Sequence, residues 1–121
     1  SVNYSGYFDA RSRSITMKQI DDSVYHELGH FLAFIAGNAD KTASFQSIFA
    51  AEKANVTAFN KAYVTQNASE YFAESVKDYI LNNASLKSSR PQTYAAVQNA
   101  LNQITDAQIA KIQKIYGAFW N

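Results

Sequence analysis

From residue 23 the apolar positions fall into a helical rhythm, with Val24, Leu28, Phe31, Leu32 and Ile35 spaced to share one face. Asp21, Asp22 and Ser23 are candidate caps for its start, and Gly37 with Asn38 supplies its stop, since both tolerate the left-handed backbone that ends helices. Before it, Tyr7-Phe8 and Ser14-Ile15-Thr16-Met17 read as extended runs around the polar turn 9–13, a hairpin pattern. After it, Phe45, Ile48, Phe49, Glu52, Val56 and Phe59 continue at helical spacing, with a possible break at 55–57. A further helix is expected from Asn67 or Ser69 to Leu81, burying Phe72, Val76, Tyr79 and Ile80 and ending at Asn82-Asn83. Pro91 opens the next helix. The last begins at Thr105-Asp106-Ala107-Gln108, which has the form of a capping box, and presents Ile109, Ile112, Tyr116 and Phe119 as its apolar face.

These elements, without a repeat or a Pro/Gly-rich linker, predict one mostly helical α+β domain spanning 1–121, with the hairpin as its clear strand content. Composition agrees: 121 residues with 47% hydrophobic content suffice for a single core. A net charge of +1 from scattered residues gives no footprint for nucleic acid. The longest apolar stretch, near Phe31 to Ala36, is too short to insert in a membrane. Ser1 to Ala10 lacks the blocks of a signal peptide, and the start without Met suggests a mature or excised piece of a longer precursor. The oligomeric state is left open by the sequence, with a monomer as the expectation.

There is no cysteine, so any metal must be held by nitrogen and oxygen. Both histidines of the chain fall in His26-Glu27-Leu28-Gly29-His30, on the first helix. Residues four apart on a helix project side by side, so the two imidazoles can converge on one ion. Glu27 is displaced round the helix from that pair but can reach a water on the metal, which makes it the expected general base. Zinc lowers the pKa of its bound water toward about 7, and a carboxylate can then take the proton as hydroxide attacks a carbonyl. Gly29 is unfavourable in a helix interior, by about 1 kcal/mol relative to Ala, and so suggests a close neighbour there.

A catalytic zinc ion normally takes three protein ligands, and here the third must be a carboxylate. Asp40, Glu52, Glu70, Glu74, Asp78 and Asp106 are the downstream candidates. Glu70 and Glu74 stand one helical turn apart, a like-charged pair that a metal and an imidazole would make favourable. One could bind the ion while the other orients a ligating histidine. The blander possibility is a solvated helix face with incidental histidines, which predicts no response to metal.

With these motifs the chain resembles the catalytic domain of anthrax lethal factor and its relatives, the clostridial Pro-Pro endopeptidases. The resemblance rests on His26 to His30, on Ser69-Glu70-Tyr71-Phe72-Ala73-Glu74 placed 39 residues beyond His30, and on Tyr63 seven residues before Glu70. It covers about Tyr25 to Asp78. It implies a zincin-like peptidase core whose N-terminal hairpin or edge strand packs on the active-site helix, and whose Ser14, Ile15, Thr16, Met17 and Lys18 pair with an extended substrate. It implies His26, His30 and Glu70 as ligands to one catalytic zinc ion, Glu27 as base, Glu74 as the carboxylate behind a ligand, and Tyr63 as the donor to the oxyanion. The expected function is a zinc metalloendopeptidase acting on an extended protein or peptide segment, near proline by analogy, and secreted. The competing expectation is a noncatalytic module of the same fold that binds a protein partner.

Overall fold

The computed structural model describes residues 6–9, 14–17, 23–108, 110 and 114, and for 6–9, 14–17 and Ser23 the backbone alone. Strands β1 (Gly6–Asp9) and β2 (Ser14–Met17) precede helices α1 (Ser23–Ile35), α2 (Ala43–Glu52), α3 (Lys61–Val64), α4 (Ala68–Leu81), α5 (Asn83–Ser89) and α6 (Pro91–Asn102). Short 3-10 turns at Ala39–Lys41 and Lys53–Asn55 flank α2.

The largest interface joins α1 to α4. Leu28 and Leu32 on α1 meet Tyr71, Phe72 and Val76 on α4 in a cluster completed by Phe45 of α2 and by Val97 and Leu101 of α6. All eight are at most 3% exposed. Every residue from Tyr71 to Val76 is buried, so the middle of α4 is enclosed by protein rather than half-solvated. Gly29 explains how the two helices come so close. A Cβ built there would lie 2.6 Å from the Ala73 carbonyl oxygen and 2.7 Å from its Cα. The close neighbour that a mid-helix glycine suggests is therefore the backbone of α4.

Local chemistry fixes the ends. Gly37 and Asn38 both have positive φ, 75° and 58°, and terminate α1 as expected. The Asn67 side chain accepts from the Glu70 amide at 2.8 Å, capping α4, an arrangement worth about 1 kcal/mol. Ser69 donates to buried Asp40 at 2.7 Å, tying the start of α4 to the turn after α1. Thr105 and Gln108 form the reciprocal capping box, at 2.7 and 3.2 Å.

The expectation of a mostly helical core stands, and its α+β part is corrected, because helices build the core. The only extended elements among the described residues are β1 and β2, antiparallel with Tyr7 opposite Thr16 and Phe8 opposite Ile15. Two four-residue strands present too few inward positions to form a layer, and α1 and α4 bury each other instead. The expected packing of this pair on the histidine helix is corrected with it, since among the helices β2 makes its larger contact with α4. The segment after α1 also differs: α2 stops at Glu52, Val56 is extended, and Phe59 is fully exposed rather than on a buried stripe. A helix not anticipated, α5, follows Asn82. Asp21, Asp22, the turn residues 10–13, Lys18 and the face of Ile109, Ile112, Tyr116 and Phe119 lie outside the described residues. Among the described residues no helix is long and apolar enough to cross a membrane.

Candidate metal centre

The site is assembled where α1 and α4 approach most closely. His26 and His30 flank Gly29 on one helix; Glu70 and Glu74 flank Ala73 on the other. The missing side chain of Gly29 thus sets the distance between the histidine pair and the glutamate pair. His26 Nε2 lies 2.8 Å from Glu70 Oε1, and His30 Nε2 lies 3.1 Å from the same oxygen. One ligand atom from each of these three residues falls within 4.8 Å of the others, and the three side chains are half-buried. The His26 and His30 rings meet edge to face, with centroids 5.0 Å apart.

His26 makes a second contact, through Nδ1 to Glu74 Oε1 at 3.0 Å. With Nδ1–H donating to Glu74, the neutral ring turns the lone pair of Nε2 toward Glu70, where another acceptor stands. Two acceptors so close require either a proton on the ring or a cation between them. The first alternative is favoured by the Glu74 hydrogen bond, which, partly opposed by burial, holds the imidazole above its ordinary 6.5. Burial pushes the Glu70 carboxyl up, but hydrogen bonds from His26 and His30 more than offset this, leaving it below 4.5. Glu74 is likewise pushed up by burial and held low by His26 and Lys77. The second alternative is a metal ion, for which the two imidazoles and one carboxylate form a ready donor set.

The other carboxylates considered as ligands have different partners. Asp40 accepts from Ser69. Glu52 is 5% exposed and accepts from the amides of Gln92 and Thr93 and from the Thr93 hydroxyl, at 3.0, 2.8 and 2.7 Å, so it caps α6 from a distance. Asp78 pairs with Arg90 at 2.6 Å. Asp106 lies in the first turn after Thr105, outside the cluster.

The family model for anthrax toxin lethal factor, N- and C-terminal domain, matches residues 10–100. The chain belongs to this family. A Pro-Pro endopeptidase of Clostridioides difficile (strain 630) is 41% identical over 78 residues, which cover 61% of this chain and 34% of that protein. The chain therefore spans about a third of the length of this relative. No solved structure matches it.

In this lethal factor family member the remaining expected residues lie on the exposed side of the cluster. Tyr63, on α3, is half-exposed, and its ring centroid is 6.1 Å from that of His26. Its phenol is pushed above 10, first by the charge of Glu70 and, among the smaller causes, by that of Glu27. Glu27 is exposed on α1 beside His26. These two groups therefore sit within electrostatic reach of each other and of the cluster, without belonging to the ligand set. The residue that sequence reasoning did not single out is Lys77, whose Nζ is 3.3 Å from Glu74 Oε2; its i, i+3 spacing from Glu74 was the available signal.

The different contacts of the two glutamates predict different effects. Glu70→Gln removes the charge shared by both histidines and is expected to abolish measurable metal binding at micromolar concentrations. Glu74→Gln keeps an acceptor for Nδ1–H and should weaken binding about 10- to 100-fold, as removal of an outer partner does. Chelator competition on both variants checks the ranking; the reverse order would exchange their roles.

Proposed function

We propose that this chain is the catalytic core of a zinc-dependent endopeptidase that hydrolyses an extended segment of another protein. The observation that carries the reading is the convergence of His26, His30 and Glu70 with Glu74 behind His26. The donor set fits zinc. Bonds of about 2.0 to 2.2 Å set tetrahedral ligand atoms roughly 3.3 to 3.6 Å apart, and the two nitrogens, at 2.8 and 3.1 Å from Glu70 Oε1, need to move outward by less than about 1 Å to meet that spacing. Two imidazoles and a carboxylate without thiolates also suit this metal. Zinc in such a site acidifies its water and polarises a carbonyl.

The protein's own groups supply the rest. Glu27 accepts the proton of the attacking water and returns it to the leaving amine as the peptide bond breaks. Tyr63 donates its phenolic hydrogen to the oxyanion that develops on the former carbonyl; a phenol pushed above 10 remains protonated at neutral pH and keeps that hydrogen available. Glu74 holds Nδ1–H of His26, leaving Nε2 to face the ion. The edge of Ser14–Met17 not paired with β1 offers backbone groups to an extended substrate. A cleavage site near proline is proposed from the relative's name, and an extracellular setting from the kinship.

Titration of the metal-free protein with zinc should saturate at about one ion per chain, and the loaded protein should cleave a peptide library, with chelator reversing both. Binding should weaken as pH falls, because the proton on His26 competes with the metal. Since the His26 pKa lies above 6.5, that weakening begins above pH 6.5. Failure to take up zinc with all three ligands intact would refute the reading.

A further inference from the structure

Glu74 divides its two oxygens between different partners. Oε1 faces His26 Nδ1 at 3.0 Å, and Oε2 faces Lys77 Nζ at 3.3 Å. The carboxylate side chain is only 7% exposed, whereas the lysine is 23% exposed. Both residues line a polar cavity of about 400 Å³ that runs beside α4 to Asp78, Asn82 and Arg90. Asp78 is paired with Arg90 there, which leaves Glu74 as the carboxylate that Lys77 meets across one helical turn.

We propose that Lys77 is a positioning residue for the metal centre, fixing the Glu74 carboxylate and, through it, the ring of His26. The proposal rests on His26, His30 and Glu70 holding zinc. The terminal torsion of a glutamate is broad, so a carboxylate anchored through one oxygen can turn about that contact. A cation on the second oxygen removes this freedom. It also supplies a charged partner to the second oxygen of a largely buried carboxylate, where an unpaired acceptor is costly. An ordinary surface pair at this spacing contributes little. What sets this one apart is the burial of its acidic member and the commitment of the other oxygen to a metal-facing histidine.

The experiment compares zinc dissociation constants, by competition with a chromophoric chelator, for the wild type, Lys77→Met, Lys77→Gln and Lys77→Arg. The same Lys77→Met change is also made in a Glu74→Gln background. The two neutral variants are expected to weaken zinc binding about 3- to 10-fold, less than the roughly 10- to 100-fold loss on removing the direct partner. Lys77→Arg should return to within about twofold of wild type. In the Glu74→Gln background Lys77→Met should add less than about twofold, because the group it acts through is altered. A merely structural lysine would lower thermal stability without moving zinc affinity. Neutral variants with wild-type affinity overturn the proposal and leave the zinc reading standing, and so does a loss of equal size in both backgrounds. A wild type that binds no zinc overturns both.

Discussion

Glu27→Ala is expected to retain about one zinc ion per chain and to lower kcat/KM by about 100- to 10,000-fold, the range that a positioned proton acceptor contributes. The two halves of this expectation have separate physical grounds. Metal retention follows from geometry: the three ligand atoms that converge belong to His26, His30 and Glu70, and Glu27 projects from α1 toward solvent, away from the face buried against α4. Loss of turnover follows from chemistry, since the other two carboxylates of the site are committed to the histidines. Glu70 is shared by both histidines, and Glu74 is divided between His26 and Lys77. Glu27→Gln preserves shape and removes only basicity, so it should lose nearly as much as Glu27→Ala. Metal analysis and steady-state kinetics on a cleaved library peptide read both halves. A variant that keeps more than a tenth of wild-type kcat/KM would remove Glu27 from the base role, and one that loses its zinc would make it a ligand.

The centre was legible in the sequence because its parts are local. His26 and His30 are related by one helical turn, as are Glu70 and Glu74, so each pair could be placed on a face before any tertiary contact was known. The division of labour within the second pair is tertiary: only the position of α4 across from Gly29 gives Glu70 to both Nε2 atoms and Glu74 to Nδ1. Glu52 shows the limit of periodicity. It shares the helical spacing of Phe45, Ile48 and Phe49 and is buried, but as a carboxylate capping α6 some 40 residues away, a contact no local pattern reports. Phe59 shares the spacing and is exposed, because the chain leaves the helix at Glu52 and turns through Lys53–Asn55 before reaching it. The helix Asn83–Ser89 was hidden by the paired asparagines that read as a stop, and it buries only Leu86. The α+β label rested on one short strand pair; the buried middle of α4 shows that helix against helix supplies the core.

Gly29→Ala should destabilise the protein by about 1 to 2 kcal/mol and weaken zinc binding at least about tenfold. At an unobstructed mid-helix position the same change would stabilise by about 1 kcal/mol, because alanine is the better helix former. Here the new methyl would lie 2.6 Å from the Ala73 carbonyl oxygen, 2.7 Å from its Cα and 3.0 Å from its carbonyl carbon. All three are backbone atoms, so no change of rotamer can relieve the clash, and overpacking of this kind costs about 1 to 3 kcal/mol and occasionally more. With the chief core interface at stake, the steric cost outweighs the propensity gain. The effect reaches the metal because the point of contact lies between the ligands: parting α1 from α4 at Gly29 draws His26 and His30 away from Glu70 together. Ala73→Gly in the same background should not rescue either property, since it deletes a methyl that is not the obstruction. Denaturant unfolding of the metal-free variants, paired with zinc competition, separates the two effects. A Gly29→Ala protein as stable as wild type would mean that the helices do not approach as described, and the distance on which the whole centre depends would have to be drawn again.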